Sequence, residues 1–556
     1  MKKMRFVFLA LTISALLGCS PESSAISYPP SNDNSSSIAL DHKQVHIPAL
    51  PAGITQYEEA TLFIEDVQVP LLNVKVNNSH FYAYPEPTRI DSAYGRLFMR
   101  GRIEFVLTTT YAIDASTKVY PSQFNIVPNH DLAAHKITFT IYEPGVYIIE
   151  PNNNSDLAIQ LRIFDISEML TLNQVENLYP NHEIIYFPAG IHTQANSQFI
   201  DSNNYINLTS QKVLFIDEGA YVQARVRGIN VENVIITGHG IITGAHFSRT
   251  NQLVPIDFIQ SANLQINNIS IIDPAAWSLN LYFVEDSSIN NVSIISSRAN
   301  GDGITIQSGK NILVENVYVR SFDDALVVKN YAYPYGNPDR NTHGSTDNIK
   351  FSNAFLWVDL AQALEIGYET AGEHIDDVTF EDITVFHAFH KPVISIHNSN
   401  YADLHRITYQ NITVENLQTG KGDAGSNNEL IDIKSTYSTT FGDKAVGPTE
   451  VGNIYDLEIK NVLVKRKDNG NNAKITIHGQ IDNRIDFFNN LSVIDRVTLS
   501  QITVIADNVT SDYAYLNTNE YVHNLEVITG IANGHIIERK YTSTLLDEYV
   551  NPIEFI

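Results

Sequence analysis

The chain carries a single cysteine, Cys19, in 556 residues. One thiol rules out an internal disulfide framework and a zinc–thiolate cage, so stability has to come from a buried apolar core. Basic residues are also scarce: 36 Lys and Arg stand against 62 Asp and Glu, a formal charge of −26. A field of that sign repels nucleic acid and anionic membrane surfaces, and no basic stripe reverses it locally. Neither is expected as a partner. Beyond the leader, no segment approaches the roughly 18 consecutive apolar residues that a membrane-spanning helix requires.

What is present begins with MKKMRFVFLALTISALLGCS, a basic start followed by a short apolar run from Phe6 to Leu17. Ending in Leu16-Leu17-Gly18-Cys19, residues 1–19 have the form of a bacterial lipoprotein signal with Cys19 as the lipidation site. Ser20 follows the cysteine in place of an aspartate, which resembles the outer-membrane branch of the sorting rule. Membrane contact is therefore expected only through a lipid anchor. Residues 20–40, rich in Ser, Asn, Pro and Asp, are expected to form a flexible linker, since such a composition cannot build a core.

Short runs that alternate apolar and polar residues then follow, among them ATLFIEDVQV, GRIEFVLTTT, HKITFTIY and LAIQLRIF. With turn-rich breaks between them, they predict a β-sandwich over 41–178. From 179 to 556 the chain becomes repetitive. NLQINNISII, NILVENVYV, DDVTFEDITVF and LHRITYQNITV share one template, and its polar marker falls at Asn268, Asn291, Asn316, Asn353, Asp382 and Asn411. A recurrence near 25 residues, made wholly of strands, predicts a right-handed parallel β-helix whose markers stack as turn residues bonded along the solenoid. The fold class is thus all-β, a sandwich followed by a β-helix. Leucine-rich repeats have a similar period, but their leucine spacing and helical segments are missing, and a propeller blade would need about 40 residues.

Within NGDGITIQSGKNILVENVYVRSFDDALVVKN the repeat is interrupted by Asp302, Asp323 and Asp324. Asp302 and Asp323 are 21 residues apart, close to one coil, so they are expected to lie almost above one another on the outer surface. Crowded carboxylates raise at least one pKa, as a general acid working near neutrality requires. An isolated Asp in such a solenoid would more often cap a turn. A pair in register with a third points instead to glycoside hydrolysis, which needs one protonated and one ionised carboxyl group.

At these residues the sequence resembles the clan of β-helical inverting glycosidases that holds the polygalacturonases of glycoside hydrolase family 28 and the dextranases and isopullulanases of family 49. The resemblance rests on Asp302 in NGDGI, the pair in SFDDALVVK and Trp277 in DPAAWSL. It implies Asp323 as general acid, with Asp302 and Asp324 holding the attacking water, and no metal or other cofactor. Two family 28 features are replaced. Ala361-Gln362-Ala363 stands where a Gly-His-Gly would follow the pair, and Ser395-Ile396-His397 stands where an Arg-Ile-Lys would bind a uronate. The earlier Gly238-His239-Gly240 is read as a structural turn. Family 49 is matched over more of the chain, through IIYFPAGIH, DEGAYVQARV, ITGHGIITG and LWVDLAQALEIGYETAGEHIDDVTFEDITV.

Substrate contacts are expected from Trp277, Lys329, Glu365, Tyr368, Glu369 and His397, around a polysaccharide or oligosaccharide. The resemblance implies an α-glucan such as dextran; a plant or algal galactan, or a polygalacturonan-like polymer, is the enzymatic alternative. A non-catalytic carbohydrate-binding solenoid is the reading from another class. Lyase chemistry would call on a base such as Arg320, which sits at a strand position expected to face solvent.

Overall fold

A computed structural model describes residues 36–40, 43–84, 86–251, 254–330, 344–420, 429–436, 451–466, 474–480, 492–506, 513–532, 535–541 and 553–554. Cys19 and the leader lie outside them, as does most of the expected linker. The end of that linker is corrected: Ser36–Leu40 is a strand, paired antiparallel with Lys43–Ile47. Its apolar Ile-Ala-Leu run finds a neighbour to pair with, which the composition of 20–40 as a whole conceals.

The first part of the chain is the expected sandwich. Arg89–Arg100 lies at the centre of a seven-stranded sheet, flanked by Lys43–Ile47, Leu71–Asn77 and Ile159–Asp165. Ala60–Ile64, Ile103–Thr109 and Lys136–Ile141 form the middle of a five-stranded sheet. Alternate side chains of the two sheets, such as Leu62, Leu97, Phe105, Phe139 and Leu161, fill the space between them. One short helix, Leu172–Leu178, capped by Thr171, leads into the solenoid.

From Glu183 onward all but the last few strands pair in parallel with the strand one coil away, as in a β-helix. One long sheet turns a corner at each polar marker. Asn268, Asn291, Asn316, Asn353, Asp382 and Asn411 all have φ between 49° and 59°, a left-handed conformation that Asn and Asp tolerate best. Their side chains bond along the solenoid in pairs: Asn291 donates to Asn268 at 2.8 Å, Asn353 to Asn316 at 2.6 Å and Asn411 to Asp382 at 2.8 Å, while Asn316 donates to Asn290 at 2.7 Å. Inside the coils, Phe351, Phe380 and Tyr409 stack with ring centroids 4.8 Å apart, the spacing of adjacent strands.

The second solenoid sheet positions the aspartates. It runs through Leu279–Tyr282, Ile304–Gln307, Leu326–Asn330, Leu364–Thr370, Ile394–Asn398 and Glu429–Ser435. The sandwich packs on the solenoid through an apolar seam that includes Val74, Tyr94 and Ile148 on one side and Ile272, Trp357 and Phe389 on the other. Within that seam His387 bonds to Glu150 at 2.5 Å, and both are buried. Gly238-His239-Gly240 is a structural turn, as expected: His239 is buried and its carbonyl accepts from Arg96 of the sandwich. Arg320 corrects its expectation. It is buried, lies 3.9 Å from the Trp357 ring and pairs with Asp359 at 3.3 Å, because the sandwich covers that face.

Candidate active site

Asp302 and the pair Asp323-Asp324 stand immediately before consecutive strands of the second solenoid sheet. Ile304 pairs with Leu326, so it is Asp324, not Asp323, that stands in register with Asp302. The coil is one residue longer than the 21-residue spacing that aligned Asp302 with Asp323. Gly303 permits the approach of these coils: a Cβ there would lie 2.4 Å from the Ala325 carbonyl oxygen. The aspartates are not on an open surface. Asp302 and Asp324 are only 2% and 8% exposed, while Asp323 is partly open to solvent.

Two main-chain donors hold the pair. The Asp324 N–H donates to the Asp323 carboxylate at 3.1 Å, and the Gln362 N–H donates to Asp324 at 3.1 Å. The Gln362 contact comes from the coil where the Gly-His-Gly is absent. Lys329 reaches back to Asp302 at 3.6 Å and across to Glu369 at 3.2 Å, with its ammonium 5.0 Å from the centre of the Trp277 ring.

Burial dominates the electrostatics. It pushes the Asp302 carboxyl up to about 8, with Lys329 opposing and Asp323 reinforcing the shift. Asp324 is driven well above the ordinary carboxylate range by burial, then by Asp323 and Asp302. Asp323 is raised by burial and held back by Lys329, by the Asp324 N–H and by Lys391. For Lys329, burial works against the charge, but Glu369, Asp302 and Asp324 outweigh it and keep the ammonium protonated. Burial and mutual repulsion thus raise all three carboxyl groups, and Lys329, 3.6 Å from Asp302, opposes the rise.

The next coils hold a second charged group. His397 is 3% exposed, and its ring lies between Glu365 at 2.8 Å and Asp432 at 3.2 Å. Ser395 donates to Glu365, and Lys434 reaches Asp432 at 2.6 Å. The half-buried Tyr368 ring stacks on His397 at 4.2 Å with the planes parallel. Burial alone would discharge the imidazole, but Glu365 and Asp432 hold its pKa at about 9.

That position fixes a sign. A histidine raised from 6.5 to about 9 stabilises the fold fully below pH 6.5 and loses that contribution as pH rises through 9. Asp302, raised from 3.8 to about 8, favours the protonated fold and so loses stability as pH rises from about 4 to about 8, which includes the lower part of the same range. Both act in one direction. The melting temperature is therefore expected to fall between pH 6.5 and pH 9, as followed by calorimetry, and a rise over that interval would contradict the placement of both groups.

All nine site residues read from the sequence gather in this region, though in different situations. Asp302, Asp323, Asp324, Lys329, Glu369 and Trp277 share one cluster. Glu365 and His397 are buried in the second, with Tyr368 partly open above them. Sequence reasoning missed Asp432, Lys434 and Lys391, and saw in Ser395 only the replacement of an arginine. Strand register was the signal: Glu365 pairs with Ser395 and Ser395 with Asp432, so one polar column runs through three coils.

Residues 195–477, half of the chain, match the family described as Glycosyl hydrolases family 28. The chain belongs to that family. Curated relatives include a "Probable polygalacturonase" of Vitis vinifera, 27% identical over 29% of this chain and 35% of its own length. An "Exo-poly-alpha-D-galacturonosidase" of Dickeya chrysanthemi is 24% identical over 49% of this chain and 42% of its own. The chain thus spans less than half the length of either relative. Among solved structures, Dex49A from Penicillium minioluteum is similar with a TM-score of 0.50 and 12% identity, covering 84% of this chain and 91% of that one. This likeness shows the shared β-helical fold. The clan expected from the aspartate motifs stands, and the family matched within it is 28, whereas the layout of the sequence had pointed towards 49.

Proposed function

We propose that the chain is an inverting glycoside hydrolase acting on a polysaccharide. The observation that carries this is the aspartate trio, with raised pKa values and the Lys329 ammonium 3.6 Å from Asp302. In this reading Asp323, the member most open to solvent, protonates the glycosidic oxygen. Asp302, whose charge Lys329 supports, takes a proton from the attacking water on the other side of the sugar, with Asp324 beside it.

For the substrate we favour a neutral α-glucan. The buried cations are already engaged: Lys329 by Asp302 and Glu369, His397 by Glu365 and Asp432. Asp432, which His397 and Lys434 hold ionised against burial, would repel a uronate. A galacturonan is the second reading, favoured by the names of the two curated relatives and by Lys391, a partly exposed cation whose charge acts on Asp323.

The test is release of reducing ends from dextran, pullulan, polygalacturonate, agar and carrageenan by the chain lacking residues 1–19. Cleavage of dextran or pullulan is expected. Cleavage of polygalacturonate alone would establish the second reading, and binding without any cleavage would refute the hydrolase reading.

A further inference from the structure

The sandwich hairpin connection after Leu71–Asn77 does not stop at its own domain. Asn77 ties its base together, accepting from the Ser79 and His80 N–H groups at 3.1 Å each and donating to the Thr88 carbonyl at 2.9 Å. Its ends are then fastened to the solenoid. His80 stacks on Phe389 at 4.0 Å and bonds through Nδ1 to the Asp359 carbonyl at 2.7 Å, on coils that follow the aspartate pair. At the other end Arg89 pairs at 2.9 Å with Asp273, on the coil that precedes Asp302, and at 2.7 Å with Glu86 of the connection itself. The connection therefore spans the coils that carry the three aspartates.

Between those anchors it holds Phe81, Tyr82 and Tyr84 out in solvent, exposed by 49%, 47% and 53%. Three aromatic rings within four residues, each about half exposed, form a surface that a fold does not leave uncovered without cause. Their position says what covers it. The Arg249 guanidinium lies 5.2 Å from the centre of the Tyr84 ring, and the Tyr82 hydroxyl is pushed up by partial burial and then by the nearby Asp323. Arg249 in turn donates to the Asn300 side chain at 2.5 Å, two residues before Asp302. The aromatic tip thus adjoins Asp323 and the turn that leads to Asp302.

Pyranose rings present apolar C–H faces with hydroxyls at the rim, and flat, rigid aromatic side chains complement those faces with little loss of conformational freedom. We propose that Phe81, Tyr82 and Tyr84 form a sugar-binding platform, through which the sandwich domain holds glycosyl units of a polysaccharide next to Asp323. This rests on the reading of the aspartate cluster as the site of a polysaccharide hydrolase. The anchoring by His80 and Arg89 fixes the platform relative to the aspartates, so it lengthens the binding surface without entering the chemistry.

The test joins a binding arm to a kinetic one. In the soluble chain with Asp323→Asn, retention in affinity gels containing dextran, polygalacturonate, agarose or carrageenan is compared with and without Phe81→Ala, Tyr82→Ala and Tyr84→Ala together. The aromatic substitutions are expected to weaken retention by the preferred polymer at least tenfold. With Asp323 intact, they are expected to raise KM for that polymer by a similar factor while sparing kcat and the hydrolysis of a trisaccharide of the same linkage. Unchanged retention overturns the platform even where hydrolysis is robust, as does the absence of retention on all four polymers in the starting protein. Equal losses on polymer and trisaccharide also overturn it, because the loop would then be supporting the catalytic geometry. Failure of the hydrolase reading itself would show separately, as polymer retention that the aromatic substitutions weaken in a chain that cuts nothing. Single substitutions, each removing one exposed ring, guard against misfolding of the triple variant.

Discussion

Asp323→Asn is expected to lower hydrolysis of the preferred polysaccharide by about a thousandfold or more, within the range that general acid catalysis contributes. The amide keeps the shape of the side chain and can still accept the Asp324 N–H, but it cannot deliver a proton to a leaving oxygen. Stability should move the other way. Burial raises the Asp323 pKa, so the folded state prefers the protonated form and ionisation at higher pH costs stability. A neutral amide removes that cost and relieves Asp324 of a facing charge. The variant should therefore melt no lower than the parent at pH 8 and keep its affinity for polymer. Loss of activity together with a lower melting temperature would mean that the substitution had damaged the coil rather than the chemistry.

Lys329→Met should injure both fold and activity. Its ammonium is buried among Asp302, Glu369 and Asp324, and removing it leaves their charge uncompensated. Breaking such a buried arrangement costs about 3–5 kcal/mol. The pH profile gives the more specific signature. Lys329 opposes the upward shift of Asp302, so its loss pushes that carboxyl above about 8. A base has to ionise to act, so the acidic limb of kcat/KM is expected to move to higher pH by about one unit, with a loss of about tenfold at neutrality. A uniform loss at every pH would assign Lys329 to packing alone.

The legibility of the sequence followed the physics of each feature. The asparagine markers were readable because a left-handed turn demands one of a few residue types at every coil, so the period is written in the residues themselves. The aspartate cluster was readable because it broke that period. Its register was not: one residue of coil length decides whether Asp302 faces Asp323 or Asp324, and that is set by how closely Gly303 lets the coils approach. Arg320 and His397 were hidden for a different reason. Their surroundings come from distant segments, the sandwich in one case and Asp432 in the other, and no local pattern reports a partner so far away in the chain. The aromatic tip at Phe81–Tyr84 is of the same kind, since only the docked sandwich brings it to the aspartates.

The most direct measurement is the anomeric form of the first reducing ends released, followed by proton NMR from the start of the reaction on the preferred polymer. An aspartate pair acting across a water molecule yields the inverted anomer, and the signal should vanish in Asp323→Asn. A retained anomer, or an unsaturated product that absorbs in the ultraviolet, would contradict the assignment of Asp302 and Asp323 as base and acid.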